Sequence, residues 1–142
     1  NGTLATAAFG TLMQIGDGAG PENFTTIAEV KDITPPPLTR DTVDVTHHTS
    51  AGGWEQVVAT IKRSGVLTFE ANWIPSHATQ SFAAGLGLDF NNGTLRNFKI
   101  VFPTGNSWIL PGLVVGFNPA ATVGGVLGLS ISIKVSGQPT LA

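Results

Sequence analysis

The stretch Leu127-Gly128-Leu129-Ser130-Ile131-Ser132-Ile133-Lys134-Val135-Ser136 alternates apolar and small polar residues almost without error. A period of two is the signature of a β-strand with one face in a core and the other elsewhere. The second face carries Gly128, Ser130, Ser132 and Ser136, with Lys134 as its one charge. A solvated face usually holds more Lys and Glu. Small uncharged groups suit a surface that lies against a neighbouring chain or lines a smooth passage. The pattern points to a β-rich building block.

Composition fits an assembling subunit, and also a Thr/Gly-rich secreted β-protein. The 142 residues suffice for one domain with a real core. Only 11% are charged, against roughly a quarter in typical soluble domains. A surface so poor in charge does little to keep copies apart, so partners are expected to cover much of it. The net charge of −2 and the lack of a basic run argue against stable nucleic-acid binding. Without cysteine there is no disulfide framework and no thiolate metal site. The opening Asn1-Gly2-Thr3 has neither a basic nor an apolar leader region, so no signal peptide is expected. From Ile100 to Ile133 no residue is charged, but Pro103, Pro111 and Pro119 interrupt an alternating pattern. Strands, not a membrane helix, are expected there.

Along the chain, residues 1–9 read as a flexible arm. Leu12 to Ile15 is a short strand ending in the turn Gly16 to Pro21. Phe24 to Ile33 is β-branched and reads as one strand, stopped by Pro35-Pro36-Pro37. Thr42 to His47 pairs with Gln56 to Lys62 across a loop, 48–55, longer than a tight hairpin needs. Val66 to Trp73 follows. Ser76 is a good helix N-cap, and Ala78, Phe82 and Leu86 recur at helical spacing, which predicts a helix of two or three turns. Asn91-Asn92-Gly93 reads as a turn. Arg96 to Phe102 and Trp108 to Phe117 form a hairpin with a bulge near Pro111-Gly112, and Asn118 to Gly125 a loop. The whole is one mainly β domain, 1–142: a two-sheet β-sandwich or distorted barrel of about seven strands with one short flanking α-helix. Leu67, Phe69, Trp73, Phe82, Phe98, Ile100, Leu129, Ile131 and Ile133 are expected to be buried together.

No chemistry-bearing constellation emerges. His47 and His48, near Asp44 and Glu55, are metal-ligand types, but adjacent strand residues point to opposite faces. No nucleophile sits in a strained G-x-S-x-G turn, and the carboxylates are scattered. No metal, cofactor or catalytic residue is therefore expected. Trp54, Trp73 and Trp108 could form a sugar-stacking platform, so a secreted carbohydrate-binding β-sandwich remains an alternative. Asn1, Asn23 and Asn92 open N-x-T matches, which mean little without a secretory leader.

The ordered features of the chain resemble the major tail tube proteins of long-tailed, non-contractile bacteriophages. They begin with the Gly/Asp turn, Pro21, Phe24-Thr25-Thr26-Ile27-Ala28-Glu29-Val30, a proline-rich bend, Arg40 and Val43-Asp44-Val45-Thr46. Next come the Ser50 to Gly53 loop, Gly65, Phe69-Glu70-Ala71-Asn72-Trp73 and Pro75. Ile100-Val101-Phe102-Pro103-Thr104-Gly105, Gly112 to Phe117, and Ile133-Lys134-Val135-Ser136-Gly137-Gln138-Pro139 close the match. The loop Thr122 to Gly125 departs from it, lacking acidic residues, and no extra immunoglobulin-like domain is expected after Ala142.

The resemblance implies a structural virion protein, assembled in the host cytoplasm. Its hexameric rings would stack into a hollow tube that ejects DNA. Its partners would be its own copies, a tape-measure protein, a tail terminator and tail-tip proteins, with transient DNA passage and no membrane. The loop residues His48, Ser50, Gly52, Gly53, Trp54 and Glu55 would reach the adjacent ring. Asp44, Thr46, Ser130, Ser132 and Lys134 would line the lumen or the subunit seam.

Overall fold

Alternating apolar residues and glycine- or proline-rich turns divide the chain into short strands joined by tight connections. A computed structural model describes residues 2–142. Among them are β1 (Leu12–Gly16), β2 (Phe24–Thr26), β3 (Val30–Thr34), β4 (Leu38–Asp44), β5 (Val57–Ser64) and β6 (Val66–Asn72). Helix α1 (Leu86–Asn92) follows, then β7 (Arg96–Val101), β8 (Ser107–Ala121), β9 (Leu127–Val135) and β10 (Thr140–Leu141). As expected, the chain is mainly β with two sheets and one short helix.

The larger sheet runs β2-β1-β7-β8-β9-β6-β3, with β10 extending the pairing along β8. Every pairing is antiparallel. The smaller sheet is the β4–β5 ribbon alone. Connectivity shows that the larger sheet is curled. Its end strands would lie about 29 Å apart if it were flat. Yet only Ile27, Ala28 and Glu29 join β2 to β3, a step that reaches at most about 14 Å. The Ile27 N–H donates to the Met13 carbonyl (2.9 Å), and the Asn72 N–H donates to the Glu29 carbonyl (3.0 Å). This corner therefore ties one end of the sheet to the other, and the distorted-barrel form of the expectation is the one adopted.

Inside lie Met13, Leu67, Phe69, Phe98, Ile100, Leu110, Leu129, Ile131 and Ile133. On β9 the alternation holds: Leu129, Ile131, Ile133 and Val135 are buried, while Ser130, Ser132 and Lys134 are not. Antiparallel order sends β1, β6 and β8 toward one end of the barrel, and β2, β3, β7 and β9 toward the other. The first, the helix end, collects residues 17–23, 73–95 and 122–126. The second, the ribbon end, collects residues 2–11, the ribbon, the turn at 102–106 and residues 136–142.

The expected helix is displaced. Residues 75–85 form successive turns, and α1 starts from Gly85 rather than Ser76. Local polar bonding overrides the helical spacing of Ala78, Phe82 and Leu86. Gln80 is fully buried; its Nε2 donates to the carbonyls of Ala28 (2.9 Å) and Asn72 (3.0 Å), and its Oε1 accepts from the Ile74 N–H (2.7 Å). The Thr79 hydroxyl accepts from the Ala28 N–H (3.1 Å). These bonds fold the segment over the barrel corner. At Gly85 a side chain would collide with the Thr79 backbone. Asn91-Asn92-Gly93, expected as a turn, is the end of α1, with Gly93 in the left-handed conformation (φ 62°).

Phe82 is thus not the helix anchor and is not buried: it is 50% exposed and rests on Phe117, with ring centroids 4.9 Å apart. Trp73 is half-buried against the core, edge-on to Phe117. The expected single strand Phe24 to Ile33 is cut at the barrel corner, where Glu29 takes a positive φ of 49°. The β8 strand runs past Asn118 to Ala121, into the expected loop, and its bulge lies between Val114 and Gly116, beyond Pro111. Pro111, lacking an N–H, sits where the partner of β8 changes from β10 to β9.

Candidate functional site

The most distinctive surface is the ribbon. Val43 pairs directly with Val58, and Asp44 with Val57. Val43 and Val58 are 52% and 50% exposed. Val45, Val57 and Ile61 are also exposed. A two-stranded ribbon is marginal in water unless something covers it, and both its outer edges leave backbone groups unpaired. The sequence reading treated these strands as an ordinary hairpin. The signal it passed over is Val57-Val58-Ala59-Thr60-Ile61, where neither face is polar.

The ribbon tip carries the predicted loop, and it is internally built. Ser50 is buried within it. Its hydroxyl accepts from the His47 N–H (3.0 Å) and donates to Gln56 Oε1 (2.9 Å). The Ser50 N–H donates to the His47 carbonyl (3.0 Å). Gly52 and Gly53 take left-handed φ of 65° and 74°, a conformation that favours glycine. The Trp54 indole folds beside Gly52, where a side chain would meet its ring, yet Trp54 stays 78% exposed. His48 and Glu55 are exposed. Ser50 therefore organises the loop, while Trp54 is what the loop presents.

Asp44 and Thr46 flank this tip. The Thr46 N–H donates to Asp44 Oδ1 (2.8 Å), and Thr46 holds the Asp44 carboxyl below the usual carboxylate value, first through its hydroxyl and then through its N–H. The other predicted lining residues lie elsewhere. Ser130, Ser132 and Lys134 share the outer face of the barrel sheet, opposite Glu70, Thr68 and Val66 on β6. Asn118 lies beside Ser130 on β8, and Gly116 beside Ser132. The structure makes this a single small-residue face but does not bring Asp44 or Thr46 to it. The Ser132 side chain fits there because β8 carries glycine opposite: a side chain at Gly116 would sit 3.1 Å from Ser132 Cβ.

The three tryptophans do not form a platform. Trp108 is half-buried and edge-on to Phe102 (5.8 Å), Trp73 packs on the core, and Trp54 stands at the ribbon tip. Exposed apolar residues also mark the segment before β1 (Leu4, Phe9) and the β8–β9 turn (Val123, Val126). Asn1, counted in the expected arm and in one N-x-T match, lies outside the described residues. Among the described residues, no helix is long and apolar enough to cross a membrane.

Comparison with known proteins places this surface in context. The solved structure of the tail of an empty GTA particle, refined with C6 symmetry, contains a chain of the same fold. It has a TM-score of 0.78 and 19% identity, and the match covers 97% of this chain and 99% of that one. A chain from the virion of a native gene transfer agent particle matches with TM-score 0.76, 16% identity and the same coverage. A chain from the anti-feeding prophage cap, which terminates a tube, matches with TM-score 0.71 and 11% identity, over 99% of this chain and 93% of that one. No curated protein sequence matches. The family model of the lambda phage tail tube protein (TTP) matches residues 10–142, and the chain belongs to that family of structural tail proteins.

Proposed function

We propose that this chain is the repeating subunit of a phage tail tube, forming rings of six that stack into a hollow conduit for DNA, and that it performs no catalysis. The observation that carries this is the ribbon: two strands with unpaired edges and apolar residues on both faces, separate from the curled larger sheet. Ring formation supplies partners for both edges. The six-fold symmetry of the related GTA tail supports the number. The tape-measure, terminator and tip proteins implied by the resemblance would meet the ends of such a tube.

In this reading the loop bearing His48, Ser50, Gly52, Gly53, Trp54 and Glu55 docks on the neighbouring ring, with Trp54 as anchor. The small-residue face with Ser130 and Ser132 lines the lumen or the seam, as do Asp44 and Thr46, and Lys134 stands at the rim of that face. A lumen poor in cations would not hold phosphates. Negative-stain microscopy of concentrated protein tests the assembly: rings or tubes are expected, and a protein that stays monomeric at every concentration overturns it. Trp54→Ala should leave the melting temperature unchanged, because the side chain is exposed in the subunit. Losing it from an interface costs about 2 kcal/mol or more, so long tubes should disappear. Tubes of normal length from the variant refute the anchoring role.

A further inference from the structure

Four of the seven lysines and arginines meet at one place. Arg40, Lys62 and Arg63 at the base of the ribbon and Lys134 at the end of β9 line a groove of about 1090 Å³, walled on its apolar side by Ile61 and Leu141. All four cations are exposed. Asp41 accepts from Arg63 (2.8 Å), which leaves an excess of positive charge. The other three cations are elsewhere: Arg96 is paired with Asp89 (2.8 Å), Lys99 lies over the Phe24 ring (5.2 Å), and Lys31 is on β3.

The helix end of the barrel has the opposite character. Its three connecting segments, 17–23, 73–95 and 122–126, contain no lysine or arginine. The β1–β2 turn exposes Asp17 and holds the half-buried Glu22 folded back toward Gly16, so its shape is fixed. Asp17 Oδ1 accepts from the N–H groups of Ala19 (2.9 Å) and Asn23 (3.1 Å). Glu22 accepts from the Gly18 N–H (3.0 Å) and from Asn97 Nδ2 (2.8 Å). The same turn carries Ala19 and Pro21, which offer apolar contact to Ile61 and Leu141. A cationic groove at one end and a rigid anionic turn at the other are complementary only between two different copies.

We infer that the Arg40–Lys62–Arg63–Lys134 groove is the receptor for the Asp17–Glu22 turn of a second copy of this chain, stacked head to tail. The inference rests on the tube reading above and gives it a polarity. Each junction joins ribbon end to helix end, so the contact is heterologous and propagates without closing. Complementary potentials across it set the register and suppress helix-end to helix-end contacts.

Charge exchange tests this. Arg40→Glu with Lys62→Glu makes the groove net negative, and Asp17→Lys with Glu22→Lys reverses the turn. Each should shorten tubes at least about tenfold, since like charges then face each other. Melting temperatures of the purified variants check that the subunits still fold. Combining the four substitutions restores opposite charges and should recover length. A second arm uses the absence of native cysteine: Thr39→Cys with Ala19→Cys should give a ladder of disulfide-linked oligomers on oxidation of assembled protein, whereas either change alone stops at dimers. Unchanged tubes in the reversed variants, or tubes without a ladder, overturn the inference while leaving the tube reading intact. Wild-type protein that never forms rings or tubes overturns both. If the reversed groove leaves tubes intact but abolishes retardation of a DNA duplex on a gel, the groove serves nucleic acid and the inference falls.

Discussion

The barrel and the ribbon are built from similar residues and differ in what completes them. In the barrel, β6, β7, β8 and β9 each send alternate side chains into a shared interior, and neighbours within the same chain satisfy their edges. In the ribbon, Val43, Val45, Val57, Val58 and Ile61 are as apolar as the barrel residues but have no interior to enter. The contrast shows that hydrophobic pattern sets what a strand needs, while topology decides whether its own chain can supply it. One region is finished within its own chain, and the other leaves apolar side chains and strand edges uncovered.

Substitutions in the two regions should therefore separate stability from assembly. The largest effect is expected in the barrel. Phe98 is fully buried on β7, so Phe98→Ala should cost about 3–5 kcal/mol, read as a large fall in the denaturant midpoint. A variant that unfolds like wild type would mean that the barrel interior is not the main source of stability. Next is Gln80→Leu, which leaves the Ala28 and Asn72 carbonyls and the Ile74 N–H without their partner. The expected loss is about 3 kcal/mol, accompanied by faster amide exchange at the barrel corner. Loss without faster exchange there would relocate the role of Gln80.

On the ribbon, Val58→Thr keeps the shape and should change subunit stability by no more than about 0.5 kcal/mol. It should nonetheless shift tube formation to higher protein concentration, measured by sedimentation. A variant that melts early would place Val58 in the subunit's own fold. The smallest effect concerns the β1–β2 turn. The N–H of Ala19, and then that of Asn23, hold the Asp17 carboxyl below its ordinary value of 3.8. A lowered folded value means that the contribution is complete above the ordinary pKa and is lost as pH falls through the lower folded one. The Ala19 and Asn23 amide resonances should move in that acidic window and stay fixed above it. Movement near neutral pH would contradict the assignment.

The barrel interior was largely legible in the sequence because alternation is local: Leu67, Phe69, Phe98, Ile100, Leu129, Ile131 and Ile133 are all buried where periodicity put them. The segment after Trp73 was not, because its conformation depends on carbonyls near residues 28 and 72 that only the closed barrel brings to Gln80. Phe82 was misplaced for the same reason. The exposure of Trp54 followed from loop length and glycine content, whereas the burial of Ser50 follows from hydrogen bonds within the loop that spacing does not reveal. The cationic groove was not legible as a site, since Lys134 is separated by about 70 residues from Lys62 and Arg63 and by more than 90 from Arg40.

The position of β9 has a consequence for synthesis. It follows all its neighbours in sequence, so it leaves the ribosome after them, and it lies in the middle of the sheet, between β8 and β6. Before it emerges, β6 with β3 and β8 with β7, β1 and β2 are joined only through the corner at residues 27–29, and their inner faces stay exposed. Contacts that span most of a chain form slowly, and unpaired edges are prone to mispairing while they wait. An interrupted chain that ends before Leu127 leaves β8 and β6 without the strand between them, so its barrel stays open. Synthesis through β9 thus acts as a proofreading step: products that stop short of it lack the central strand and are excluded from assembly.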